Sequence, residues 1–138
     1  MNIELRRGCA DDLASIGQIQ AASPQASQWD VGEYLQYDLL VAVSGGCVAG
    51  FAVSRRLAEG ESELLNLAVD PEFRRRGIGR RLVAKLTSGN PGSLWLEVRE
   101  SNLGARKFYE SLGFSDAGRR PDYYAGSSEG AIVMNVHS

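Results

Sequence analysis

Histidine is almost absent from this sequence. The one example, His137, stands next to last among 138 residues, where a frayed end is expected. Acid–base chemistry, if the chain performs any, therefore falls to Glu, Asp, Tyr or Cys. Cysteine is nearly as scarce. Cys9 and Cys47 have neither a CxxC spacing nor a histidine nearby, so they read as free thiols in a reducing compartment, and no metal site is expected. No apolar run approaches the ~20 residues of a membrane-spanning helix. The opening "MNIELRRGCADD" carries early acids where a secretory signal has its apolar stretch. On these absences a cytoplasmic protein with no membrane attachment is expected.

The length suits a single domain, residues 1–138, able to bury roughly two thirds of its unfolded surface. Formal net charge is −2, but the distribution is uneven. Residues 74–85 hold five arginines, one lysine and no acid; removing that +6 from −2 leaves −8 on the other 126 residues. A nucleic-acid binder spreads positive charge over a face of a basic domain. Here a local anion site on an acidic body is expected, without direct nucleic-acid binding.

Periodicity predicts the elements. "NIELRR" alternates as a strand, and "ADDLASIGQIQAA" sets Leu13, Ile16, Ile19 and Gln20 at helical spacing. "WDVGEYLQY" suggests a short helix. "LLVAVSGGCVAGFAVSRRL" reads as a hairpin with glycines in its turn. "ESELLNLAVDP" is a strand ended by Asp-Pro. "GIGRRLVAKLTS" is a helix with Ile78, Leu82, Val83 and Leu86 on one stripe. "SLWLEVRE" is a strand. "NLGARKFYESLGF" is a helix lined by Ala105, Phe108, Tyr109 and Leu112 and stopped by Gly113. Two further strands, "GFSDAGRR" and "GAIVMNV", close the chain. This order predicts an α/β fold (α+β in some schemes): a mixed sheet of about seven strands with about four helices on its faces.

The arginines surround "GIG" at the start of a helix. A dinucleotide fingerprint needs a third glycine, and a Walker A loop needs Gly-Lys-Ser/Thr; both are missing. What remains is a helix N-terminus with unpaired amides, glycines that let a ligand approach the backbone, and forked donors around it. That combination makes a pyrophosphate cradle. A solvated Arg-rich helix start, with glycines there only for packing, is the plainer alternative.

"RRRGIG" resembles the R/Q-x-x-G-x-G/A motif of the GNAT superfamily of N-acetyltransferases. "LWLEVRESNLGARKFYESLGF" and "GRRPDYYAGSSEGAIVM" are similar to the RimI-like branch, which acetylates an N-terminal alanine of a small-subunit ribosomal protein. The similarity is dense over residues 63–136. It implies a sheet splayed between strands 4 and 5 and acetyl-CoA as cosubstrate. It also implies a peptide or protein N-terminus as acceptor and a monomer or weak dimer. Leu67, Ala68 and Val69 would then lie beside the thioester. Arg74, Arg75, Arg76, Gly77, Ile78, Gly79 and Arg80 would wrap the pyrophosphate, and Asn102 would touch the cofactor arm unless it is only a helix cap. Glu97 would be the general base and Tyr109 the general acid. Glu97 could otherwise be a structural ion pair with an arginine, and Tyr109 simple core. Trp29, Tyr123, Tyr124 and Glu129 would meet the peptide. Asp30, Glu33, Asp38 and Glu129 could favour a basic segment after the acetylated residue.

An α-amine of pKa near ~8 is roughly 20% neutral at pH 7.4, against about 0.1% for lysine, so a carboxylate suffices as base. Neither cysteine has a local group to activate it as a nucleophile. Four features depart from the branch pattern: Gln28 in place of a proline, Asp122 in place of an asparagine, "EG" at 129–130, and a short "TSGNPGS" connection. They bear on the peptide substrate and leave the cofactor motif intact. Competing expectations are acetylation of a lysine or small amine, a silent acyl-CoA-binding module, and nucleic-acid binding.

Overall fold

Alternating side chains make the strands, and two periodic apolar stripes make the longer helices. A computed structural model of the chain describes residues 2–121 and 129–137. Seven strands hydrogen-bond in the order β1-β2-β3-β4-β5-β7-β6. The chain gathers into two compact units, Met1–Arg55 with Leu64–Gly89, and Arg56–Glu63 with Asn90–Ser138.

The first unit contains β1 (Ile3–Arg7), α1 (Leu13–Ala21), a 3-10 segment (Val31–Gln36), β2 (Asp38–Ser44) and α2 (Ile78–Gly89). It also holds most of β3 (Cys47–Ala58) and the second half of β4 (Glu61–Val69). β1, β2 and β3 pair antiparallel, with Leu5 opposite Ala42 and Val41 opposite Phe51. Gly45 and Gly46 turn the hairpin at φ 55° and 82°, the left-handed pair of a tight two-residue loop. Ile16, Ile19, Tyr34, Leu39, Val41, Phe51, Val53 and Ala68 form its core. The expected stripe of α2 is buried at Ile78, Leu82, Val83 and Leu86.

Asp12 opens α1. Arg6 donates to both its carboxylate oxygens at 2.9 Å, and the Cys9 amide donates to Oδ2 at 2.8 Å. Arg6 first, with the Cys9 amide, lowers the Asp12 carboxyl to about 2 against the cost of its burial. The unfolded chain returns it to near ~3.9. The folded value is the lower one, so this stabilisation is complete above pH ~4 and is lost as pH falls through about 2. It amounts to at most about 2.6 kcal/mol, less where water screens the Arg6 side of the pair. Asp12→Asn should therefore lower the urea midpoint at pH 7 and flatten its decline between pH 4 and 2; an unchanged midpoint at pH 7 would show that the pair contributes nothing.

The second unit contains β5 (Ser93–Arg99), α3 (Leu103–Ser111), β6 (Ser115–Arg120) and β7 (Ala131–His137). β7 lies between β5 and β6 and is antiparallel to both, with a bulge on β6 between Asp116 and Gly118. β4 and β5 pair in parallel over only three residues, Glu61–Glu63 with Ser93–Trp95. That short pairing between a nine-residue and a seven-residue strand is the expected splay. Three α-helices and the Val31–Gln36 segment fill the place of the four expected helices.

Two local expectations change. His137 is not a frayed end: it is the last residue of β7, opposite Ser93, whose Oγ lies 3.1 Å from its Nδ1. On α3, Tyr109 alone of the expected stripe is buried, while Ala105, Phe108 and Leu112 are partly covered. No helix among the described residues is long and apolar enough to cross a membrane.

Candidate functional site

The first unit carries the arginine-glycine segment. β4 ends at Val69, and Asp70 caps the following turn by accepting from the Glu72 amide at 2.9 Å. The chain then enters the left-handed region twice, at Arg75 (φ 65°) and Gly77 (φ 76°). A non-glycine residue there costs of order 1 kcal/mol or more, and such strain gathers at ligand clamps. Alternation of left- and right-handed residues is the backbone pattern of an anion nest, and the two left-handed positions here are separated by one residue. The first helical bond of α2 runs from the Arg81 amide to the Gly77 carbonyl at 3.0 Å, leaving the first-turn amides at the dipole's positive end. A Cβ on Gly77 would meet nothing within 4 Å, so the space over this backbone is open.

The arginines divide their work. Arg74 donates to the Val69 carbonyl at 3.4 Å and to Ser23 Oγ at 3.2 Å, so it braces its own unit. The Arg76 guanidinium stands 5.4 Å from the Phe73 ring centroid. Gly50 had no sequence signal. A Cβ there would press on the Ala68 carbonyl oxygen at 3.1 Å and on Ile78 Cγ2 at 3.3 Å, so its bareness lets β3, β4 and the start of α2 meet. Ala68 faces the core, while Leu67 and Val69 are partly exposed. Trp29, in the same unit, is 45% exposed. Asp30 caps the 3-10 segment through the Gly32 amide.

The second unit carries the acid–base candidates. On β5, Leu94, Leu96 and Val98 are buried, which leaves Trp95, Glu97 and Arg99 on the opposite face. The Glu97 side chain is 15% exposed, and its Oε1 lies 3.3 Å from an Arg120 nitrogen. Its Oε2 is buried with no hydrogen-bond partner among the described residues. The alternative of an ion pair with an arginine is met at one oxygen; the other oxygen is desolvated without a donor among the described residues, which costs of order 1–3 kcal/mol unless a ligand answers it.

Tyr109 is fixed by the way α3 ends. The Phe114 amide bonds the Tyr109 carbonyl, and the Gly113 amide bonds the Glu110 carbonyl, each at 3.0 Å, with Gly113 at φ 97°. This is a Schellman motif, whose usual apolar contact joins the residues at Tyr109 and Phe114. Their rings meet edge to face at 5.4 Å, and Phe108 stands edge-on at 5.2 Å. "YESLGF" is therefore the sequence of a helix stop that also grips the tyrosine. Burial pushes the phenol well above its ordinary value of 10, so it keeps its proton. Asn102 is the N-cap of α3, its Oδ1 accepting from the Ala105 amide at 3.1 Å.

At the end of the strand that carries Glu97 lies a clamp that the sequence reading missed. Glu129 accepts from Arg99 at 3.0 Å and from the Ser101 amide at 2.9 Å; Ser101 first, then Arg99, lowers its carboxyl. Reciprocally, Glu100 takes two bonds from Arg119, at 2.6 and 2.8 Å, and one from the Gly130 amide at 2.8 Å. Arg119, then the Gly130 amide, holds Glu100 at about 2. The visible signal was "RES" on one strand end facing "GRR" and "EG" on the others. Glu129, assigned to the peptide, is engaged by its own chain. Tyr123 and Tyr124 lie outside the described residues. Among those described, no cluster of three potential ligands is placed to hold a metal ion.

The chain matches known proteins along most of its length. The model of the acetyltransferase (GNAT) family fits residues 11–114. The ribosomal protein bS18-alanine N-acetyltransferase of Salmonella typhimurium is 45% identical over 93 residues, which are 63% of this chain and 62% of that protein. This chain thus matches less than two thirds of that relative's length. The protein of the same name from Escherichia coli strain K12 is 40% identical over 107 residues, 73% of this chain and 70% of that one. The crystal structure of the Escherichia coli ribosomal-protein-S18-alanine N-acetyltransferase superposes with a TM-score of 0.81 at 31% identity, covering 99% of this chain and 94% of that one. The chain belongs to the acetyltransferase (GNAT) family.

Proposed function

We propose that this protein transfers an acetyl group from acetyl-CoA to the N-terminal α-amine of a protein, an alanine at the start of a small-subunit ribosomal protein. The observation that carries the reading is the buried Oε2 of Glu97, without a partner among the described residues, on a strand whose opposite face is apolar. A proton-accepting oxygen in that state suits an incoming amine, and the relatives' names supply the acceptor's identity.

The Arg75–Gly77 turn and the first amides of α2 fit a pyrophosphate, since they combine left-handed backbone, open space and positive charge. Arg75, Arg76, Gly77, Ile78, Gly79 and Arg80 would hold that end of the cosubstrate, with Arg74 bracing the turn from Val69 and Ser23, and Leu67, Ala68 and Val69 would run along its arm. When bound, acetyl-CoA supplies the acetyl group as an activated thioester. A main-chain amide of β4 steadies the acetyl oxygen. Glu97 Oε2 takes a proton from the amine, directly or through water, and Arg120 steadies the other oxygen. Tyr109 holds its proton for the departing sulfur. A dry site raises the proton affinity of that sulfur along with that of the phenol, which keeps the transfer feasible. The products are an amide and the free thiol, with no acyl-enzyme.

The test is a mass-mapped transfer assay. The acceptor is a peptide that begins Ala-Arg and carries an internal lysine. Acetyl on the N-terminus alone supports the reading, acetyl on the lysine moves the protein to a lysine-directed class, and binding without transfer removes the roles of Glu97 and Tyr109. A second expectation concerns the cradle. Gly77→Val places a branched side chain at φ 76° in the open space. It should weaken acetyl-CoA binding about tenfold or more in calorimetry, and unchanged affinity would move the pyrophosphate elsewhere.

A further inference from the structure

The segment between α1 and the 3-10 turn, residues 23–29, has no regular structure, yet it is tied down along its length. Ser27 is held at both ends of its backbone: its amide donates to Asn66 Oδ1 at 3.3 Å, and its carbonyl accepts from Asn66 Nδ2 at 3.0 Å. The Trp29 carbonyl accepts from Gln20 Nε2 at 2.7 Å. Gln28, an exposed residue, folds back along the segment and donates to the carbonyls of Gln20, Ser23 and Ala26 at 2.9, 3.1 and 3.1 Å. A glutamine here does by hydrogen bonding what a proline does by ring closure. Gln20, Tyr34 and Asn66 are themselves buried and joined: the Tyr34 hydroxyl donates to Gln20 Oε1, and Asn66 Nδ2 reaches Tyr34 Oη at 3.0 Å and Gln20 Oε1 at 3.2 Å. A satisfied buried network of this kind fixes one arrangement rather than many.

Against this fixed backbone, the Trp29 side chain remains 45% exposed. A segment whose main chain is locked while its largest apolar side chain faces outward is built to present that side chain. Asn66 also sits on β4, where its Oδ1 accepts the amide of Leu67 at 3.0 Å. One carboxamide therefore sets the Trp29 segment and occupies a β4 amide next to the acetyl group's proposed path. We infer that Asn66 is a positioning residue for selection of the acyl acceptor, with Gln20 and Tyr34 as its partners, so that the first residue of the acceptor peptide is chosen by Trp29 in a register fixed from β4. This rests on the peptide-acetyltransferase reading above.

The experiment uses the full chain with acetyl-CoA and alanine-, serine- and methionine-initiated peptides. Asn66→Ala and Gln20→Leu are each measured for peptide KM, kcat, acetyl-CoA affinity and melting temperature. The expected result is a peptide KM raised about tenfold or more and a narrowed preference among the three peptides, with acetyl-CoA affinity within about twofold of the parent; a loss of ~1.4 kcal/mol corresponds to tenfold. In a Trp95→Phe background, Trp29 emission should shift in both variants. Unchanged peptide KM and preference in the folded variants would overturn the inference, as would equal losses for peptide and acetyl-CoA, which mark general damage. Gln20→Leu decides the matter if Asn66→Ala does not fold. If the parent protein acetylates no peptide, the underlying reading falls and this inference falls with it; if the parent is active and only the variant pattern is wrong, the underlying reading stands.

Discussion

Glu97→Gln is expected to leave a folded protein that transfers acetyl groups about 100-fold or more slowly at saturating substrate. Glutamine keeps the shape of the side chain and an oxygen for Arg120, which stands 3.3 Å from Oε1 in the parent. At the position of the buried Oε2 it puts an amide nitrogen, which donates and cannot accept a proton. The loss should fall on kcat, since Glu97 is not among the residues assigned to acetyl-CoA. An α-amine becomes mostly neutral without help above pH ~8. The variant should therefore regain part of its rate at pH 9, relative to the parent. A loss of less than about fivefold at pH 7 would remove Glu97 as the base.

Gly92→Ala should be the most damaging single methyl in the second unit. Gly92 has φ 123°, a conformation nearly confined to glycine, and a Cβ there would overlap the backbone of Gly60, with the carbonyl carbon at 2.7 Å and Cα at 2.8 Å. Neither backbone can easily yield, because the Ser93 amide donates to the Gly60 carbonyl at 2.8 Å. That bond opens the three-residue parallel contact of β4 with β5. Strain and clash together should cost about 3 kcal/mol or more, lowering the melting temperature by roughly 10 °C. Gly89→Ala is the control: nothing lies within 4 Å of its added Cβ and its φ is not left-handed, so it should melt within a degree or two of the parent. A Gly92→Ala protein that melts with the control would mean the strand ends move apart without cost.

What could be read from the sequence was what is local. Alternation on β5 separated Glu97 from Leu96 and Val98, helical spacing set Ile78, Leu82, Val83 and Leu86 on one face, and "LGF" ended α3 where Gly113 turns left-handed. The arginine-glycine turn proposed to hold pyrophosphate was legible as a candidate because its charge and glycines are consecutive. Partners distant in the chain were not. Arg120 finds Glu97 across β7, Asn66 finds Ser27 across 39 positions, and Gly50 and Gly92 are required by backbone approaching from elsewhere. No periodicity records such meetings. The same limit explains Glu129: its charge was visible, but its engagement with Arg99 and Ser101 depends on how β5 and β7 align.

The helix stop at Phe114 has a consequence for the timing of order. A tyrosine free to rotate would have to surrender that freedom at the moment of reaction. Tyr109 surrenders it when α3 forms, because its carbonyl receives both the Leu112 and Phe114 amides while its ring lies against Phe114. On the proposed reading of Tyr109 as the proton donor, the entropy of aiming the phenol is lost in folding and not in turnover, and the ring cannot wander without unwinding the last turn of its helix.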